Sequence, residues 1–223
     1  MIEKILLSDD IMSRCPEFVG TAIEATVVNT PFSDELWRKI HAAETDCRTR
    51  LTTETAKELP AVAATREAYR RCGKDPSRYR PSAESLMRRV LKNTDLYQIS
   101  TVVDLINLAS LLSGYSIGGF DAALIDGNTL TLGIGREGEP YEGIGRGTLN
   151  IAGMPVYRDA TGGIGTPTSD NERTKLSLST THLLVIVNGY DGDRTATNVC
   201  ADLIADLLRR YASATDIVIT PFP

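Results

Sequence analysis

Gly114-Tyr115-Ser116-Ile117-Gly118-Gly119-Phe120-Asp121 opens the stretch that decides the fold. Fourteen of the 18 glycines fall between Gly114 and Gly165. Short β-prone runs, Thr129–Ile134, Thr148–Ala152 and Pro155–Tyr157, sit between them. Dense glycine with short β runs means tight turns joining short strands, because glycine alone enters left-handed backbone at no steric cost. This middle region therefore reads as compact β structure and not as a helix bundle.

The flanks read differently. On the C-terminal side Lys175–Ser179 alternates, and Leu183–Val187 is continuously apolar, as in a strand covered on both faces. Thr195 is placed to cap a helix striped by Cys200, Leu203, Ile204, Leu207, Leu208 and Tyr211. Ile217-Val218-Ile219 closes the pattern as a last strand. On the N-terminal side Ile2–Leu7 and Val19–Val28 read as strands. Ser33 caps a helix carrying Leu36, Ile40, Ala43 and Cys47 at helical spacing. Pro60 starts a second helix that Gly73 stops. After the polar link Lys74–Pro81, Ser82 caps a helix through Lys92, and a more apolar one follows from Thr101 to Leu112. The sum is an α+β fold.

Composition narrows the function. Hydrophobic content of 42% and charged content of 24% suit a soluble globular domain. The net charge of −5 argues against tight non-specific nucleic-acid binding, and no DNA partner is expected. No signal peptide and no membrane-length apolar run are read, so no membrane partner and a cytoplasmic location are expected. Cys15, Cys47, Cys72 and Cys200 are scattered, which suits free buried thiols. With His41 and His182 as the only histidines, no zinc-type cluster can be assembled, and neither metal nor cofactor is expected.

Several motifs dissolve on inspection. Gly143-Ile144-Gly145-Arg146-Gly147 precedes a strand pattern and not a helix, so it is a glycine turn and not a phosphate loop. Asp191-Gly192-Asp193 lacks the remaining ligands of a calcium loop and reads as the turn before the last helix. His182 is read as a hydrogen-bonded edge residue and His41 as surface or core, so no catalytic residue is named.

Two constellations remain. From Arg66 to Lys92 nine cationic residues face three acids, a local excess of six positive charges with Tyr69 and Tyr79 interleaved. Such a stretch neutralises phosphates and stacks a base, or else it is a solvated face with Arg88 and Arg89 paired to acids elsewhere. Arg70, Arg71, Lys74, Arg78 and Arg80 are the expected RNA contacts under the first reading. The second constellation is a set of carboxylates. Asp104 shares a helix face with Asn107 and can pair with it. Asp121 and Asp159 border turns, where a carboxylate accepting backbone N–H groups holds a loop.

Read in order, these segments resemble a known family. Tyr79-Arg80-Pro81-Ser82 through Val90-Leu91, Val103-Asp104-Leu105-Ile106-Asn107, Gly114 through Phe120-Asp121, Ile125-Asp126-Gly127, Pro155-Val156-Tyr157-Arg158-Asp159 and Arg173-Thr174-Lys175 to Thr180-Thr181 are similar to stand-alone B3/B4 proteins. That module carries the editing pocket in the β subunit of bacterial phenylalanyl-tRNA synthetase. The resemblance implies one B3/B4-type domain over 1–223, with a β-sandwich-like core and flanking helices; 58–212 match well and 1–57 loosely. It implies a ligand pocket at Asp104, Ile106, Asn107, Gly118, Gly119, Phe120, Asp121, Asp159 and Thr181, lying between the Asp104 helix, the Phe120 turn and the Thr180 strand. It implies tRNA or aminoacyl-tRNA as partner and hydrolysis of a mischarged aminoacyl ester in trans, with glycine-turn N–H groups as an oxyanion site. Ile106 stands where the synthetase pattern has Thr, Gly118 where it has His, and an apolar residue near Ile186 where it has Glu. A pocket so altered cannot hydrogen-bond a phenol. The other reading is a binding module for an amino acid, another small ligand or a protein partner.

Overall fold

The computed structural model describes residues 2–223. In chain order the elements are β1 (Lys4–Leu7), α1 (Asp9–Arg14), β2 (Val19–Thr26), α2 (Asp34–Arg50), α3 (Thr53–Ala56), α4 (Pro60–Cys72), α5 (Ser82–Leu91) and α6 (Thr101–Ser113). They continue as β3 (Ile117–Asp121), β4 (Thr129–Ile134), β5 (Glu142–Gly143), β6 (Gly147–Thr148), β7 (Pro155–Arg158), β8 (Gly163–Gly165), β9 (His182–Gly189), α7 (Arg194–Tyr211) and β10 (Thr215–Phe222). The fold is α+β.

Two four-stranded sheets carry it, ordered β1-β4-β7-β8 and β10-β2-β9-β3. In the first, β1 joins β4 in parallel and the other pairs are antiparallel. The second is antiparallel throughout. Residues 142–148 form a small hairpin, with Gly145 and Gly147 both at positive φ. The glycine turn read from the sequence is thus a hairpin tip.

The continuous apolar run of β9 has a geometric cause. Leu183, Val185 and Val187 face a helical layer with Ile40 of α2, Met87 of α5, Leu105 of α6 and Ile204 of α7. Leu184 and Ile186 face Leu130, Leu132, Tyr157 and Ile164 of the other sheet. A strand buried on both faces needs no polar alternation. The order of layers is therefore helices, sheet, sheet. β2, from the part of the chain that resembles the family loosely, pairs with β9 along its whole length.

Local signals explain most boundaries. The Ser33 side chain accepts the Leu36 N–H, Pro60 begins α4, and Gly73 (φ 92°) and Gly114 (φ 81°) end α4 and α6 in left-handed backbone. Four expectations need correction. Lys175–Ser179 is a turn and not a strand: Ser177 N–H donates to Thr180 Oγ1, and Thr180 N–H returns to Ser177 O at 3.1 Å. Of the run Thr148–Ala152 only Thr148 is strand, since Ile151 turns into a small core with Tyr141 and Met154. The cap of α7 is Asp193, accepting from Ala196 N–H, and not Thr195. Ser82 does not cap α5; it lies inside the first turn after Pro81, and its N–H donates to Pro167 O. All four cysteines are free and buried. Among the described residues no helix is long and apolar enough to cross a membrane.

Candidate functional site

A cleft of about 360 Å³ opens between α6, β3 and the loop before β9. That volume is at the lower end of the roughly 300–1,000 Å³ of small-ligand sites. Val103, Ile106 and Asn107 come from α6, and Ile117 and Gly119 from β3. Asp170, Lys175 and Leu176 come from the loop, and Ile99 and Ile144 stand at the mouth. Ile99 and Ile144 are exposed large apolar side chains, 57% and 41% accessible, beside a mostly apolar cavity. Exposed aliphatic residues grouped around a cavity mark a contact surface more strongly than scattered ones do.

Gly119 makes the space. A Cβ there would stand 2.8 Å from Ile106 Cδ1 and 3.2 Å from Leu176 Cδ1. Its N–H donates to Asp170 Oδ2 at 3.0 Å. Burial pushes the Asp170 carboxyl up to about 7, against the smaller downward pull of that N–H. Lys175 is engaged by Glu172 on its own loop at 2.5 Å. The Glu172 carboxylate also takes the Gly145 N–H at 3.3 Å, which holds the hairpin tip near the cleft.

Of the nine pocket residues read from sequence, Ile106, Asn107 and Gly119 line this cleft. The others lie elsewhere. Asp104 does not pair with Asn107; its Oδ2 accepts from Trp37 Nε1 and its Oδ1 from Ile99 N–H, both at 2.9 Å. It ties α6 to α2, and burial raises its pKa. Phe120 is a core side chain, fitting where Gly118 and Gly165 carry no Cβ. Asp121 accepts from Ala123 N–H and from the buried Thr180 hydroxyl. Thr181 is exposed, its hydroxyl 3.0 Å from His182 Nδ1. Asp159 braces loops: it accepts Asp126, Thr161 and Gly162 N–H groups and both terminal nitrogens of Arg173. Burial raises its pKa, but these donors outweigh that and leave it below the usual range.

Asp170 is the polar residue that sequence reasoning missed. Thr166 to Asn171 looks like any polar turn, and only tertiary packing sets its Asp over three glycines. Two glycine N–H groups near the cleft have acceptors, Gly119 in Asp170 and Gly145 in Glu172.

The basic stretch divides. Arg70 pairs with Glu67, and Arg71 with Glu17 and Glu67. Lys74 is buried, donating to Asn150 O and Ala152 O while lying 3.8 Å over the Tyr79 ring. Burial lowers its pKa. Arg78 and Arg80 are exposed. Arg80 flanks a groove of about 280 Å³ with Ser85, Arg88, Arg89, Lys92 and Thr94. Buried Glu84 anchors one side of it, bonded to Arg66 at 2.7 Å with Arg80 and Arg88 at 3.8 and 4.0 Å.

Among the described residues one group has metal-ligand spacing, His41, Glu44 and Asp95. Its parts are already used: Glu44 accepts Leu96 N–H and Asp95 pairs with Arg48 at 2.7 Å.

Two packed sheets under a helical layer, with a small apolar cleft beside one sheet, define an α+β pocket domain. The model of the B3/4 domain family matches residues 64–214, and the chain belongs to that family. Among solved structures the chain is similar to an N-terminal fragment of the phenylalanyl-tRNA synthetase β-subunit from Pyrococcus horikoshii, with 9% identity and a TM-score of 0.49. That match covers 100% of this chain and 56% of the fragment, so the chain spans just over half of the fragment's length. No curated protein matches.

Proposed function

We propose that this domain binds the aminoacyl end of a tRNA, with the amino-acid group in the α6–β3 cleft and hydrolysis of a mischarged ester as the associated reaction. The observation that carries this reading is the cleft: amino-acid-sized, apolar on most walls, with Asp170, Asn107 and Lys175 as its polar groups. A few placed polar groups in an apolar cavity is the usual composition of a site that orients a small ligand. The groove of Arg80, Arg88, Arg89 and Lys92 supplies a surface for phosphates. Deacylation of a panel of mischarged tRNAs by the purified protein tests it, together with tRNA affinity over a salt series. Ester release above buffer and affinity that falls steeply with salt are expected. No release from any tRNA removes the hydrolytic part, and no salt-dependent binding removes the RNA.

A second reading has its own support. Arg70, Arg71 and Lys74 are spent on internal partners, and the Gly119 and Gly145 N–H groups are taken. Under this reading the cleft holds a free amino acid or a similar small molecule without RNA. A thermal shift with an amino acid, and no tRNA binding, would select it.

A further inference from the structure

Cys15 and Cys72 lie together although they belong to different parts of the chain. Cys15 closes α1 and Cys72 is the last residue of α4. The residues before them clasp the two elements: Arg14 Nη1 donates to Arg71 O at 2.7 Å, and Arg71 Nη1 donates to Arg14 O at 3.4 Å. The two thiols are hydrogen-bonded to each other, in a core shared with Phe18, Tyr190 and Phe222. Both are enclosed, 2% and 5% accessible. The other two cysteines have no such neighbour. Cys47 is surrounded by Glu44, Asp46, Arg48 and Arg50, and Cys200 meets the Ser113 hydroxyl.

The pair is also asymmetric. Cys72 accepts the Cys15 thiol hydrogen, and that bond holds it below the usual thiol range, helped by Arg14 and Arg71 against burial and Asp10. Cys15 is pushed up by giving the bond, by burial and by Glu17. Cys72 is therefore the sulfur that carries thiolate character. Access comes through α1, a helix of six residues with Ile11 as its one buried side chain and no side-chain cap from Ser8. So short an element opens at low cost.

We propose that Cys15 and Cys72 form a reversible redox site, which a hydroperoxide closes to a disulfide between α1 and α4. The Cys72 thiolate attacks one peroxide oxygen, the O–O bond breaks, and the departing hydroxide leaves as water with the proton that Cys72 had released. Cys72 is then a sulfenic acid. The Cys15 sulfur attacks the Cys72 sulfur, the S–O bond breaks, and the hydroxide takes the Cys15 proton as a second water. Two sulfurs are oxidised and one peroxide is reduced. Contact between the thiols meets the first requirement of such a bond, proximity. Cys15 lies outside residues 64–214 and Cys72 inside them, so the cross-link ties the N-terminal segment to the B3/4 domain.

Hydrogen peroxide added to the folded, reduced chain tests this by thiol counting and non-reducing peptide mapping. Two of the four thiols should disappear, in a peptide that joins Cys15 to Cys72, and dithiothreitol should restore all four. The oxidised chain should also have a higher urea midpoint than the reduced one, because the cross-link restricts the unfolded chain. In Cys15→Ser, dimedone should trap the sulfenic acid on Cys72, whereas Cys72→Ser should give no adduct on Cys15. Four persisting thiols, a link through Cys47 or Cys200, or a lowered midpoint would overturn the proposal. The wild-type map and midpoint decide even if a serine variant folds poorly.

Discussion

Asp170 Oδ2 accepts the Gly119 amide hydrogen at 3.0 Å, a bond that joins the loop before β9 to the middle of β3. It fixes the carboxyl at the wall of the cleft and removes the Gly119 N–H from any role toward a reacting oxyanion. The polar groups that remain along the cleft are the side chains of Asp170, Asn107 and Lys175.

Filling the space above Gly119 should separate binding from folding. A valine side chain there meets the flexible ends of Ile106 and Leu176, both of which line the cleft. Gly119→Val is expected to cost about 1–3 kcal/mol in urea unfolding, the usual range for overpacking. Affinity for any ligand that stabilises the wild-type chain should fall at least tenfold. Retained affinity with the chain folded would place the binding site elsewhere.

The pH dependence of stability should carry a signature of Asp170. Its folded pKa is about 7, raised by burial above the ordinary carboxylate value of 3.8 that holds when unfolded. Between those values the folded state binds more protons than the unfolded one, so this group's contribution declines as pH rises from about 4 to about 7 and levels off above. Asp170→Asn removes that decline. The variant should gain stability relative to wild type as pH goes from 4 to 8, measured as the difference in urea midpoints. A constant difference across that range would mean that Asp170 does not titrate near neutrality.

Removing the Asp159 brace should act on stability and not on charge recognition. Its carboxylate is fully enclosed and bonds Arg173, which is one-third exposed, and three backbone N–H groups. Asp159→Ala leaves those donors and one guanidinium unpaired. A loss of about 2–4 kcal/mol is expected by chemical denaturation. A loss below about 1 kcal/mol would show that water replaces the carboxylate without penalty.

How much of this was legible in the sequence follows from the range of each interaction. The α+β class, the ends of α4 and α6 and the two-sided burial of β9 were readable because Gly73, Gly114 and the run Leu183–Val187 act on their own backbone or pattern. The cleft was half readable. Ile106, Asn107 and Gly119 lie on segments with a recognisable order, but Asp170 reaches Gly119 across 51 positions. Asp104 misled because helical spacing shows that it shares a face with Asn107, yet not that Trp37 from α2 offers it a better donor. Lys74 misled in the same way, since nothing local announces the carbonyls of Asn150 and Ala152.

The basic stretch yields the last prediction, because the ion pairs divide it into spent and available charge. Arg71 is held by Glu17 and Glu67, whereas Arg89 and Lys92 border the groove without a carboxylate partner among the described residues. Arg89 donates to the Asp95 carbonyl and lies 3.6 Å over the Tyr97 ring, so its charge is positioned but not neutralised. If RNA uses this groove, the slope of log affinity against log salt should weaken by roughly 0.7–0.9 for each phosphate that is no longer neutralised. Arg89→Gln with Lys92→Gln should therefore reduce the slope by about 1.4–1.8 if each side chain neutralises one phosphate. The two changes leave Glu84 and its arginines untouched, so the fold is expected to persist. Arg71→Gln should leave the slope unchanged, because that guanidinium is already compensated. Filter binding of tRNA over a salt series measures both. A slope that responds to Arg71 and not to Arg89 and Lys92 would move the RNA surface from α5 to α4.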